Sequence, residues 1–117
     1  MDILTQSETW LSELDSNGDL WAEAKSKYNK LSYMLKAKLA FYKDKFEGSE
    51  ATRERQALNH PEYLKFIEED LFNAELAFFK LDARRRFLET AIELARSKIS
   101  YEKNMILKIL ILTIILK

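Results

Sequence analysis

The longest regular pattern of apolar positions lies in residues 61–103, where hydrophobic side chains recur at alternating steps of three and four. Ten of the eleven positions in this series are apolar. The series, called the seam below, comprises Leu64, Ile67, Leu71, Ala74, Phe78, Leu81, Arg85, Leu88, Ile92, Ala95 and Ile99. This spacing places the seam along one side of a helix, as in coiled coils. The pattern therefore predicts one long helix whose apolar side needs a partner helix or a second chain.

Further apolar side chains lie beside the seam and widen it. This set, called the flank below, comprises Phe66, Phe72, Phe79, Phe87 and Leu94. A long helix cannot bury so broad an apolar surface against itself, so the flank favours contact with more than one neighbouring element.

A shorter series with the same period precedes the long helix. It contains Trp21, Ala24, Tyr28, Leu31, Leu35, Leu39, Tyr42 and Phe46. The series forms a single stripe on a helix from about residue 20 to about residue 47. We expect this stripe to fold back on part of the seam, which makes the two helices a hairpin.

Local signals predict a short helix at the start of the chain. Thr5 and Glu8 match a capping box, in which each side chain bonds a backbone N–H of the first turn. Trp10, with two leucines that follow it, gives this helix an apolar face. Residues 15–18 have the composition of a turn, and Asp19 is suited to cap the next helix.

The connection between the two main helices carries its own breaks. Gly48 and Ser49 interrupt the helical pattern, and Ser49 can cap a short segment over residues 50–58. Pro61 suits the first turn of the long helix, where its missing N–H costs little. His60 is the only histidine, so a capping or loop role is expected for it rather than a metal site or a catalytic triad.

Composition supports helices throughout. The chain of 117 residues contains two Gly and one Pro, which leaves few turns, and its length fits a single domain. We predict an all-α fold: a long helical hairpin or coiled-coil-like bundle formed by residues 1–103, followed by a C-terminal oligomerisation helix over residues 104–117. The absence of Cys and of a basic, apolar leader favours a reducing, cytoplasmic location without a signal peptide.

Charge is distributed in blocks, although the net charge is zero. Residues 1–23 carry six acids and no base, and residues 24–46 carry seven Lys and one Asp. On the second helix, Tyr33 and Phe41 lie off the apolar stripe among these lysines, which include Lys36, Lys38, Lys43 and Lys45. Cations for phosphates and rings for bases are what a single-strand binder uses. The alternative is an ordinary solvated helix face.

Arginines add candidate phosphate contacts outside this helix. Arg53 and Arg55 lie in the short connecting segment, and Arg84 and Arg85 lie within the long helix. Arg85 occupies a seam position, so it must pair with a carboxylate such as Asp82 or Glu89, extend to solvent, or face a polar groove. The alternative to phosphate contacts is that Arg84 and Arg85 form salt bridges on the surface of the helix.

The tail is apolar on every side. Only Lys108 and Thr113 interrupt the twelve residues 105–116, which are too few to cross a bilayer. The segment suits a helix buried between subunits, a terminal strand, or an anchor on a membrane surface. We favour burial in an oligomer, because Ile109 and Leu116 continue the seam register.

Catalytic chemistry has no support in the sequence. There is no Gly-rich phosphate loop, no paired acids in a catalytic context and no Cys or His nucleophile system. We expect no enzymatic activity, no cofactor and no metal.

The basic helix contains a run that resembles a known family. The run is Leu35, Lys36, Ala37, Lys38, Leu39, Ala40, Phe41 and Tyr42. It is similar to the Leu-Lys-Ala-(Arg/Lys)-Leu-x-aromatic-Tyr element of the UvsY family of phage recombination mediators. A loop, a Ser-Glu pair, a long second helix and a small basic turn near Lys98 follow in the same order, so the resemblance spans about residues 20–103.

The resemblance implies a function. Such mediators are all-helical, ring-forming oligomers that load a RecA-like recombinase onto single-stranded DNA coated with single-strand-binding protein. It implies a homo-oligomeric ring of about six to eight subunits, located in the host cytoplasm if the chain is phage-encoded. Lys36 and Lys38 match the family's basic pair implicated in DNA binding. The apolar tail has no residue-level match.

Two other interpretations stay open at this point. One is a coiled-coil adaptor or scaffold without nucleic-acid binding. The other is a membrane-surface protein anchored by its tail, although we expect no membrane partner.

Overall fold

The computed structural model of the chain describes residues 2–116, and these form helices joined by short connections. Helix α1 spans Ile3–Ser16, α2 spans Gly18–Lys43 and α3 spans Glu50–Leu58. Helix α4, Pro61–Lys65, continues through a π-helical turn, Phe66–Leu71, into α5, Phe72–Leu116. No strand occurs among the described residues, so the predicted all-α class is confirmed.

The chain divides into two compact units. The first unit contains residues 1–18 and 83–117, and the second unit contains residues 19–82. Helix α5 contributes to both. The expected division at residue 103 stays a prediction.

The second unit contains the predicted hairpin. Four contacts pair α2 with residues 62–82 in opposite chain order. They are Tyr42 to Glu62, Lys38 to Phe66, Tyr28 to Phe78 and Trp21 to Asp82. This order shows that the two helices run antiparallel, with the stripe of α2 against the seam.

A small aromatic core closes the turn end of the hairpin. Tyr42, Ala57 and Tyr63 are buried there, and Leu35, Leu39 and Ile67 pack around them. The Tyr42 hydroxyl donates to Glu62 Oε2 at 3.1 Å, and the Tyr42 ring stacks on His60 at 4.5 Å between ring centres. Burial, together with the bond to the Glu62 carboxylate, raises the pKa of the Tyr42 hydroxyl.

The first unit packs α1 on α5. The Trp10 ring meets Phe87 edge to face at 6.4 Å between ring centres. Leu88, Ile92 and Ala95 are buried on α5, as is the small Ser7 of α1. Six of the eleven seam positions therefore lie in the second unit and five in the first, and each group packs on a helix of its own unit.

The seam is confirmed as the packing side of the long helix, because every seam residue is buried or half-buried. The flank behaves differently. Phe66 is buried, but the other four residues remain at least half exposed: Phe72, Phe79, Phe87 and Leu94. One neighbouring helix covers one side of α5, so the flank beyond that contact lies open.

Three predicted helix ends are wrong. Helix α1 continues through Ser16 and α2 begins at Gly18, so Asp19 lies within the first turn of α2 and does not cap it. The first helix begins at Ile3 and is capped by Asp2, whose carboxylate accepts the Thr5 N–H at 2.8 Å, so Thr5 and Glu8 do not form the capping box. This bond also lowers the pKa of Asp2. Helix α2 ends at Lys43 instead of near residue 47, because the N–H groups of Lys45 and Phe46 bond three residues back and tighten the chain into a turn.

Other local predictions are confirmed. The Ser49 hydroxyl caps α3, and the His60 ring caps α4 by accepting the Glu62 N–H at Nδ1. Pro61 occupies the first turn of α4.

The C-terminal part of α5 is helical throughout. The helix continues without a break through residues 97–100, so the small basic turn that the family resemblance implies near Lys98 is contradicted. The described tail to Leu116 is helical rather than a strand. Within residues 2–116, no helix is sufficiently long and apolar to span a membrane.

Gly48 provides a test of the connection between α2 and α3. Its φ is +118°, a conformation that strains residues with a Cβ. We expect Gly48→Ala to lower the free energy of unfolding by about 1–3 kcal/mol, measured by denaturant titration. Gly18→Ala is the matched control, because no atom lies within 4 Å of the added Cβ at this helix start. Equal stability of the two variants would contradict the assignment of strain to Gly48.

Candidate nucleic-acid interface

The outer face of α2 is determined by what its inner face buries. Because the stripe of α2 packs on the seam, positions half a turn away face solvent. Tyr33 lies directly opposite the stripe and is 85% exposed, among the highest values for a large apolar or aromatic side chain here. Lys25, Lys30 and Lys36 are exposed on the same side of the helix. The predicted pairing of an exposed ring with lysines is therefore present at Tyr33.

A shallow surface groove runs along this face toward the start of α2. Its lining includes Trp21, Lys25, Asn29, Lys30 and Tyr33, with small side chains between them. None of the residues that line it is acidic. The groove therefore combines positive charge, aromatic surface and little steric obstruction. Four of the residues that line the groove were not among the predicted contacts: Trp21, Lys25, Asn29 and Lys30. Their positions near Tyr33 on a helical wheel could have identified them.

Lys38, Phe41 and Lys45, which were also predicted contacts, lie on the opposite flank of the stripe from Lys36. Lys38 is half-buried, and its ammonium lies over the Phe66 ring at 4.8 Å. Lys45 lies over Phe41 at 4.9 Å, and Phe41 is 58% exposed. Lys36 and Lys38 are thus not a joined pair: Lys36 lies on the open face, and Lys38 also covers part of the hydrophobic core.

The turn after α2 uses two of the predicted cations for its own structure. The Lys43 ammonium pairs with the Glu50 carboxylate. The Arg53 guanidinium donates to Asp44 Oδ1 at 3.2 Å and to the Lys43 carbonyl at 3.3 Å. These contacts fasten the start of α3 to the end of α2. Arg55, by contrast, is exposed on α3.

Arg84 and Arg85 lie in the first unit, and each forms an ion pair with a carboxylate. Arg84 Nε and a terminal nitrogen donate to the two Glu13 oxygens at 2.8 and 2.7 Å. Arg85 Nε donates to Glu89 Oε1 at 3.2 Å, which confirms one of the partners expected for this seam position. Both arginines therefore begin from an ion pair that an incoming phosphate would have to displace.

A metal ion in a protein is held by several carboxylate, thiolate or imidazole side chains that lie close together. Within the described part of the chain, no three such side chains lie close enough to hold a metal ion.

Comparison of the chain with protein-family models, with curated proteins and with solved structures gives no match.

The Glu13–Arg84 pair makes stability depend on pH. The hydrogen bond from Arg84 lowers the pKa of Glu13 below its ordinary value of 4.5. The stabilisation is therefore complete above that value and is lost as the pH falls through the lower folded-state pKa. We expect Glu13→Gln to be less stable than the wild type at neutral pH, with the difference shrinking upon acidification, measured by thermal unfolding across pH.

Glu8→Gln is the matched control for this prediction. Glu8 is exposed on the same helix and makes no ion pair within the described residues. A difference between Glu13→Gln and the wild type that stays constant from neutral to acidic pH would contradict the assigned linkage.

Proposed function

We propose that the chain binds single-stranded DNA through the outer face of α2 and acts as a recombination mediator that loads a RecA-like recombinase. The observation that carries the DNA-binding part is Tyr33, an 85% exposed ring placed among Lys25, Lys30 and Lys36. A ring so exposed contributes nothing to the described core, and the lysines beside it are exposed to solvent.

The chemistry of this face suits a single strand better than a duplex. Lysine ammonium groups neutralise phosphates and release counterions, so binding weakens as salt is added. An exposed tyrosine offers a flat surface on which any unpaired base can stack, which gives affinity with little sequence preference. In a duplex the base faces are already stacked on their neighbours, so Tyr33 would contribute little.

The mediator part of the proposal rests on the resemblance of residues 35–42 to the UvsY family. It brings in a RecA-like recombinase and single-strand-binding protein as partners, in a cytoplasmic setting. It requires no catalysis by the chain itself. A mediator has to hold the strand while the recombinase displaces the single-strand-binding protein. A salt-sensitive contact with single strands is suited to such an exchange.

Assembly into a homo-oligomeric ring is the second part of the proposal. Every described residue from Tyr101 to the end of α5 is exposed, and Ile and Leu occupy all sides of that helix. An apolar surface of this kind is not stable in water on its own. One neighbouring helix covers a single side, so contacts with more than one copy account best for the tail.

An adaptor without nucleic-acid binding is the competing function. The exposed flank residues Phe72, Phe79, Phe87 and Leu94 favour it, because they offer apolar surface to a protein partner. This alternative expects normal assembly and no mobility shift with any oligonucleotide, whereas the mediator proposal expects a shift with single strands.

Tyr33 and Lys36 provide the test of DNA binding. We expect Tyr33→Ala to weaken binding to a labelled oligo-dT strand by about 1–3 kcal/mol, because a stacking ring is lost. Lys36→Ala should lower the slope of log affinity against log salt by about 0.7, measured by fluorescence anisotropy. Tyr33→Phe is the matched control and should bind like the wild type, because it keeps the ring. Wild-type affinity in both alanine variants would contradict the assigned face.

The tail provides the test of assembly. We expect deletion of residues 104–117 to reduce the solution mass toward that of a monomer, measured by light scattering, because its apolar surface no longer joins the copies. Thr113→Ala is a control that removes only the hydroxyl bond to the Ile109 carbonyl, and it should keep the full mass. An oligomer of unchanged mass after the deletion would contradict the role of the tail.

A further inference from the structure

Lys25 lies near the start of α2, on the face that carries Tyr33, and an aromatic ring holds its ammonium in place. The ammonium of Lys25 lies over the Trp21 ring, 4.9 Å from its centre. The indole is itself fixed, because Trp21 Nε1 donates to Asp82 Oδ1 at 3.0 Å and the ring tilts against Phe78 at 6.1 Å. Lys25 is therefore directed by its neighbours rather than extended freely into solvent.

The groove between Lys25 and Tyr33 is continuous and short. The two residues are eight positions apart on α2, which corresponds to about 12 Å along the helix axis. Asn29 and Lys30 lie between them in the sequence, and both line the groove. Ala22, Ser26 and Ala37 leave room along the groove floor.

The charge along the groove distinguishes it from an ordinary basic helix surface. A second groove of the same helix is lined by Lys27 together with Glu69 and Asp70, so its cation already has acidic neighbours. The groove from Trp21 to Tyr33 contains two lysines and no carboxylate. An anionic chain therefore meets only positive charge along this groove, whereas at Lys27 the carboxylates of Glu69 and Asp70 would repel its phosphates.

We propose that the bound single strand of DNA follows this groove from Tyr33 toward Trp21, with Lys25 and Lys30 contacting its phosphates. Tyr33 stacks on one base, and Trp21 acts as a positioning residue that holds Lys25. The inference rests on the proposed binding of single-stranded DNA and adds its path. Neither lysine belongs to the run of residues 35–42 that carries the family resemblance.

The test uses the full chain and an oligo-dT strand. The sequence contains two tryptophans, Trp10 and Trp21, so a Trp10→Phe variant leaves Trp21 as the single indole. We expect its emission to change upon titration with the strand. Lys25→Ala and Lys30→Ala should each weaken binding about fivefold in ~0.1 M salt and lower the salt slope by about 0.7, the value for one phosphate contact on a single strand. Lys27→Ala, on the same helix, should remain close to the wild type.

The positioning role of Trp21 has a separate readout. Trp21→Leu should weaken binding, because Lys25 no longer rests on an aromatic ring. It should keep the wild-type salt slope, because the charge of Lys25 is retained. Trp21→Phe should restore most of the affinity, because it supplies a ring for the cation. A loss of slope in Trp21→Leu equal to that of Lys25→Ala would contradict this role.

The outcomes separate the path from the function. If Tyr33→Ala weakens binding but Lys25→Ala and Lys30→Ala behave like Lys27→Ala, and the Trp21 emission is unchanged, the path is wrong and the DNA-binding function stands. If the wild type binds no single strand at all, both the function and the path are overturned. Weakening by Lys25→Ala and Lys30→Ala, with an unaffected Lys27→Ala, supports both.

Discussion

The burial of the α2 stripe against the seam is the constraint on which the other features depend. Tyr28 stacks on Phe78 of the seam, and α2 lies antiparallel to residues 62–82, as the pairing of Trp21 with Asp82 and of Tyr42 with Glu62 shows. Once that packing is made, the rotation of α2 about its axis is fixed. The side of the helix that faces solvent then follows without any further interaction.

The candidate site is a consequence of that rotation. Tyr33 is exposed because it lies half a turn from the buried stripe, and the lysines beside it are exposed for the same reason. The exposure of this helix face requires neither the closure of a loop nor a bound group. The face presents exposed lysines and one exposed ring, which suits a ligand with regularly spaced phosphates and unpaired bases.

Periodic features were predictable from the sequence, and pairings between distant residues were not. The seam, the α2 stripe and the exposure of Tyr33 follow from helical spacing, and the caps at Ser49 and His60 follow from local chemistry. The cap at Thr5 was wrong because Asp2, three residues earlier, offers the stronger acceptor. The bond between Arg84 and Glu13 joins residues 71 positions apart, and no local pattern indicates such a contact. The contact of Lys25 with Trp21, four positions earlier, follows from helical spacing, but the bond that fixes Trp21 to Asp82 joins residues 61 positions apart.

Photochemical cross-linking is the measurement that tests the central claim most directly. A single strand substituted with bromodeoxyuridine joins to aromatic side chains in contact with its bases when it is irradiated. The account predicts that mass spectrometry of the digested complex will find the strand attached to the peptide that contains Tyr33. Attachment confined to peptides of α1, α3 or the tail, with none at Tyr33, would contradict it.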